Sequence, residues 1–159
     1  VFMLKKIGLC WIFFITSVFA NNALILQEII KKREVQAVTH VTNFEEKHHF
    51  VFFFASTCPH CHNFAPVLKK WADSHHYQVG AYSFDGKPLP EFSQVLKPDN
   101  ILLQAAFQNE TIRYPALFLV NNQTGNLYPV AIGELQEAEL DERLQHLIPK
   151  VMTYERGLA

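Results

Sequence analysis

The chain has 159 residues, 49% apolar and 13% aromatic with 14 Phe, which suffices for one domain with a real core and excludes a largely disordered protein. Fourteen basic residues against 15 acidic ones give a formal net charge of -1, so no basic excess exists to neutralise phosphates, which speaks against nucleic-acid binding as the main task. Three Cys are too few for a small disulfide scaffold.

Lys5 and Lys6 precede an uncharged, mostly apolar run from Ile7 to Phe19, and Val18-Phe19-Ala20 ends it on a small residue. This is the layout of a secretory signal peptide over residues 1–20, with cleavage after Ala20. The competing reading is an uncleaved anchor, for which the run is short of the roughly 20 residues a span needs. Cys10 lies inside the run and leaves with it, so Cys58 and Cys61 are the cysteines of the exported chain. Export makes disulfide chemistry available. A bridge between residues three apart closes too short a loop to stabilise much through chain entropy. The pair therefore reads as a working dithiol rather than a structural staple.

Residues 24–38 place Leu26, Ile29 and Ile30 at helical spacing, with Lys31, Lys32 and Arg33 on a charged face. Phe50 to Phe54 is a continuous apolar run, which predicts a strand buried on both faces. A helix from Pro59 to Ser74 follows, with Phe64, Val67, Leu68 and Trp71 as its apolar stripe; Pro59 is tolerated in the first turn, and Ser56 or Thr57 is available as a cap. Pro66 should kink that helix. Tyr77 to Phe84 reads as a second strand, and Phe92–Leu96 and Ile101–Phe107 as two short helices around Pro98-Asp99-Asn100. Tyr114-Pro115 introduces a third strand, ALFLV. The turn NNQTGN leads to a fourth, LYPVAIG, whose Pro129 argues for an edge or a bulge. Glu134 to Leu147 closes as a helix with Leu135, Leu140, Leu144, Leu147 and Ile148 toward the core, and the tail after Pro149 reads as weakly ordered. This order predicts an α/β fold with a central mixed β-sheet flanked by helices.

Cys58 falls at the N-terminus of the second helix, where unpaired N–H groups and the macrodipole favour a thiolate. It should be the exposed, attacking sulfur, and Cys61, one turn on, the more buried sulfur that resolves a mixed disulfide. His60, between them, would favour the Cys58 thiolate further as a cation or N–H donor, which suits an oxidant or shuffler better than a strong reductant. Other readings of the same residues stay open. Cys58-Pro59-His60-Cys61-His62 also satisfies the spacing for covalent haem attachment. A zinc site could draw on His62, His75 or His76, although no second Cys pair exists.

The buried strand, Cys58-Pro59-His60-Cys61 and a helix with Pro66 five residues beyond the second Cys resemble the active-site region of the thioredoxin superfamily. Tyr114-Pro115 with ALFLV resembles that family's cis-proline segment. The resemblance spans about residues 44–148. It implies a thioredoxin-like fold, a cis Pro115 beside the dithiol, and Tyr114 helping to hold an extended substrate segment. The Pro-His dipeptide is similar to that of the periplasmic oxidase DsbA, but the 29 residues between the second strand and Tyr114 leave no room for that family's helical insertion. The whole layout is more similar to the pilin-assembly thiol-disulfide isomerases of F-type conjugative transfer systems. The resemblance implies a signal peptide over 1–20, an N-terminal helix and connection over 21–43, a thioredoxin-like domain over 44–150 and a tail over 151–159. It further implies a periplasmic enzyme without metal or organic cofactor or stable membrane insertion. Its partners would be cysteine-containing exported clients and a redox partner that resets the dithiol. A reductase for haem-protein maturation and a redox-inert adaptor of a secretion complex are the alternatives. One departure stands out: thioredoxins place a buried acid six residues before the first active Cys, and here that position is Phe52.

Overall fold

The computed structural model describes residues 25–34 and 44–157. The chain divides into two units, Val1–Thr42 and Asn43–Ala159. The signal peptide and its uncleaved alternative lie outside the described residues. Among those that are described, no helix is long and apolar enough to cross a membrane. In the first unit a helix, α1, covers residues 25–34, with Ile25, Leu26, Ile29 and Ile30 exposed; the rest of the segment read as helical lies outside the described residues.

The second unit begins with one helical turn over 44–47. It continues through β1 (His48–Phe54), α2 (Pro59–Ser74), β2 (Val79–Ser83), α3 (Asn100–Phe107), β3 (Ala116–Asn121), β4 (Leu127–Ile132) and α4 (Glu137–Gly157). The sheet order is β2-β1-β3-β4. β1 and β2 run parallel across α2, whereas β3 lies antiparallel to both β1 and β4. This is the thioredoxin-like fold.

The aromatic run of β1 explains why the sheet is covered on both sides. Side chains alternate along a strand. Phe50, Phe52 and Phe54 enter one core with Phe64, Leu68 and Trp71 of α2 and Leu140 and Leu144 of α4. Val51 and Phe53 enter a second with Phe107 of α3 and Phe118 and Val120 of β3. Each fully buried Phe of this strand stabilises the fold by about 2–3 kcal/mol relative to exposure. α2 runs unbroken through Pro66. The proline of β4 sits where a missing donor costs least: β4 is an edge strand, and Leu117 and Phe118 pair with Ala131 and Pro129, leaving Val130 as an extra residue.

Three expectations need correction. Phe92–Leu96 is not a helix. Leu89 and Phe92 are core residues of the first face, and Leu96 exchanges backbone bonds with the outer edge of β2, Leu96 N–H to Ala81 O at 2.9 Å and Ser83 N–H to Leu96 O at 2.9 Å. Five residues cannot offset helix nucleation, and the extended path pairs an otherwise open sheet edge. The final helix starts later, at Glu137, where Gln136 N–H donates to the Glu139 carboxylate. It also runs on through Pro149 to Gly157, so the tail after Pro149 is helical. Pro149 removes one helical hydrogen bond. The last turns are held all the same, by Val151, which is buried, by Met152 against the core, and by bonds to Glu155.

Candidate active site

β1 delivers the chain to the start of α2 through a tight turn in which Cys58 N–H donates to Ala55 O at 3.1 Å. Cys58 is the N-cap and Pro59 opens the first turn. Neither Ser56 nor Thr57 caps the helix, because the cap makes no side-chain bond and the Ser56 hydroxyl donates to Asp85 instead. The carbonyl of Cys58 accepts from both Cys61 N–H and His62 N–H.

The two thiols differ in access. Cys58 is half-buried, while Cys61 is fully buried, and both are free. Burial pushes the Cys61 thiol up to about 12; its side-chain hydrogen bond with Cys58 pushes the same way, the backbone bond at Ala55 offsets part of this, and negative charge at Cys58 and Asp85 adds to the rise. Cys61 is thus held as a protonated thiol behind a reachable sulfur. The Cys58 thiol lies 4.0 Å from Tyr114 O. The Tyr114–Pro115 peptide is cis. Tyr114 is 44% exposed, and its ring leans on Phe84. The fold thus brings Cys58, Cys61, Tyr114 and Pro115 together.

His60 turns toward a carboxylate: its Nδ1 lies 3.2 Å from Glu134 Oε2, and its ring is 68% exposed. The same oxygen accepts from Asn63 Nδ2 at 3.0 Å. Hydrogen bonds from Asn63 and then His60 hold Glu134 below the usual carboxylate range. Two of the other histidines weighed as ligands, His62 and His75, are engaged elsewhere. His62 Nε2 is 2.7 Å from Ser56 O, and the His75 ring stacks on Trp71. Among the described residues no three His, Cys, Asp or Glu side chains converge into a group that could hold a metal ion.

Three residues of this corner escape a reading of the sequence. Asp85, from the turn after β2, accepts from Ser56 N–H and Oγ, from Ser83 Oγ and from Lys87 N–H. The bonds from Ser56 and Ser83 hold its carboxyl well below the usual range. Glu134 and Asn63 meet across 71 residues of sequence. No local spacing announces either contact; both follow from the order in which β1, β2 and β4 deliver their ends to one edge. Phe52, in contrast, stays in the core against Phe54, Phe64 and Phe92, so the strand holds no acid at that level.

Comparison with known proteins gives these features a family. The chain is 32% identical over 98 residues to Protein TrbB of Escherichia coli strain K12, covering 62% of this chain and 54% of that one, so it spans about half the length of the curated relative. Similar solved structures include MTB dsbF in mixed oxidized and reduced forms, at 24% identity and TM-score 0.43, covering 64% of this chain and 81% of that one. Another is the exposed lipoprotein thioredoxin of Streptococcus pneumoniae, at 16% identity and TM-score 0.48, covering 67% and 89%. Residues 19–145 match the family described as TraF, F plasmid transfer operon protein, and the chain belongs to that family.

Proposed function

We propose that this chain is a periplasmic thiol-disulfide oxidoreductase, a disulfide isomerase or oxidase of exported proteins that supports assembly of a conjugative pilus or type IV secretion apparatus. The observation that carries this reading is the unequal thiol pair, with Cys58 half-buried at a helix N-terminus beside the Tyr114 carbonyl and Cys61 buried one turn on. Membership of the F plasmid transfer family supports the setting.

The chemistry needs only sulfur and a proton acceptor. In the reduced chain, the Cys58 thiolate attacks one sulfur of a client disulfide; the Cys58–client bond forms, the client S–S bond breaks, and the leaving sulfur departs as a thiolate that takes a proton from solvent. In isomerisation a second client thiolate then attacks the client sulfur of the mixed disulfide and releases Cys58 unchanged. In net reduction, Cys61 loses its proton and attacks Cys58, so the client leaves reduced and the Cys58–Cys61 disulfide carries the oxidation. Run backwards from that disulfide, the same steps oxidise a client dithiol, and a redox partner resets the pair. Tyr114 and Pro115 would present backbone to an extended client segment, as an added strand would receive it.

Trapping tests the reading directly. Cys61→Ala should accumulate client proteins joined to Cys58 and released by reductant, and Cys58→Ser should accumulate none. Refolding of a scrambled disulfide protein at equal rates by Cys58→Ser and the parent chain would instead mark a redox-inert adaptor.

A further inference from the structure

We propose that Glu134 is a positioning residue that engages the His60 imidazole in place of the Cys58 sulfur, whose own contact is the Tyr114 carbonyl, and so restrains the oxidising power of the dithiol. This deepens the thiol-disulfide reading above and rests on it.

The geometry is built from both sides. His60 and Asn63 stand one turn apart on α2 and reach the same carboxylate oxygen, at 3.2 Å and 3.0 Å. Asn63 donates to that oxygen independently of His60, so a second bond holds the acceptor in place. On its other side Glu134 follows Gly133, whose N–H donates to Pro115 O at 2.7 Å and whose φ is +103°. The carboxylate is therefore fixed between the helix that carries the dithiol and the segment beside it. Two other titratable groups near the dithiol are occupied, His62 with Ser56 O and Asp85 with Ser56 and Ser83.

An imidazolium close to Cys58 would stabilise its thiolate, hence the reduced form, and make the disulfide a stronger oxidant. A carboxylate that takes up the ring's Nδ1 instead competes with the sulfur for that cation. Releasing the ring should make the dithiol more oxidising, and only while His60 is present.

The test is a double-mutant cycle on the full chain, read as the equilibrium with glutathione at about pH 5.5, where a free imidazole carries its charge. Glu134→Gln, which keeps an oxygen for Asn63 but removes the charge that holds an imidazolium, should shift the equilibrium toward the reduced chain about threefold. In the His60→Ala background the same change should shift it far less. Asn63→Ala, which loosens Glu134 from the helix, should act in the direction of Glu134→Gln and carries the test if that variant does not fold. No shift with His60 present, or an equal shift in both backgrounds, overturns the proposal, the second because it assigns the effect to the carboxylate's own field. A parent chain that exchanges no disulfide with glutathione overturns the dithiol reading itself, and this inference with it.

Discussion

The two ends of the sheet treat their polar groups in opposite ways. At the end where β1 begins, His48 is buried and stacks on Phe44; its Nδ1 faces Phe44 O and its Nε2 faces Glu155 Oε1. Asn121 Nδ2 and Tyr128 OH donate to the same Glu155 oxygen, both at 2.9 Å. Every group there is spent on a neighbour. At the other end the carboxylates are equally well served, Asp85 by Ser56 and Ser83, Glu134 by Asn63 and His60. Yet the Cys58 thiol at this end has the Tyr114 carbonyl only at 4.0 Å, a long contact. A closed polar cluster stabilises, whereas one that leaves its central sulfur open keeps that sulfur available for chemistry.

If that contrast is right, the largest stability effect belongs to the closed end. Glu155→Ala leaves three donors without their shared acceptor and should cost about 2–3 kcal/mol in urea denaturation, with the glutathione equilibrium of the dithiol unchanged. Acid should act on the same group. Burial tends to raise Glu155, but the bonds from Asn121, His48 and Tyr128 outweigh it and hold the carboxyl below its ordinary 4.5. The folded chain thus binds this proton more weakly than the unfolded one. The stability involved is present above the ordinary carboxylate value and disappears as pH falls through the folded one. The stability gap between the parent chain and Glu155→Gln should therefore narrow between about pH 6 and pH 3; a gap of constant size would show that the carboxylate charge contributes nothing.

The closed end is also where sequence reasoning reached least far. Pro149 reads as a stop, and only the tertiary burial of Val151 and the bonds to Glu155 reveal why α4 continues. Phe92–Leu96 fails for a related reason: a short apolar run has no period strong enough to separate helix from extended chain, and pairing with β2 decides it. The dithiol end is more legible because its signals are local. The run in β1, the Pro59–Ser74 helix and Tyr114-Pro115 each declare themselves within a few residues. What stays hidden there, Asp85 and Glu134 beside the cysteines, depends on strands that meet only in the folded sheet.

A backbone change at the open end should have a middling effect. Gly133 has φ +103°, and a Cβ added there would meet nothing within 4 Å. Gly133→Ala therefore costs backbone strain without a clash, about 1–2 kcal/mol by urea denaturation. It should also loosen the bond to Pro115 O and reduce the yield of clients trapped by Cys61→Ala. Full stability in the alanine variant would show that the loop relaxes to an ordinary φ and does not brace the cis-proline segment.

The smallest effect, and the one that bears most closely on the thiols, is expected from Asp85. Its negative charge helps keep the buried Cys61 protonated, and Cys61 must ionise before it can resolve a mixed disulfide. Asp85→Asn keeps the shape and removes the charge, so Cys61 should ionise more readily and attack Cys58 sooner. The lifetime of a Cys58–glutathione mixed disulfide, followed by acid quench and mass spectrometry, should fall about threefold. Because Asp85 is held below the usual carboxylate range, its charge persists through mildly acidic conditions, and the difference between parent and variant should hold there too. A lifetime that lengthens in Asp85→Asn would reverse the assignment: the carboxylate would then be helping to take the Cys61 proton, the task for which Phe52 leaves no acid on the strand.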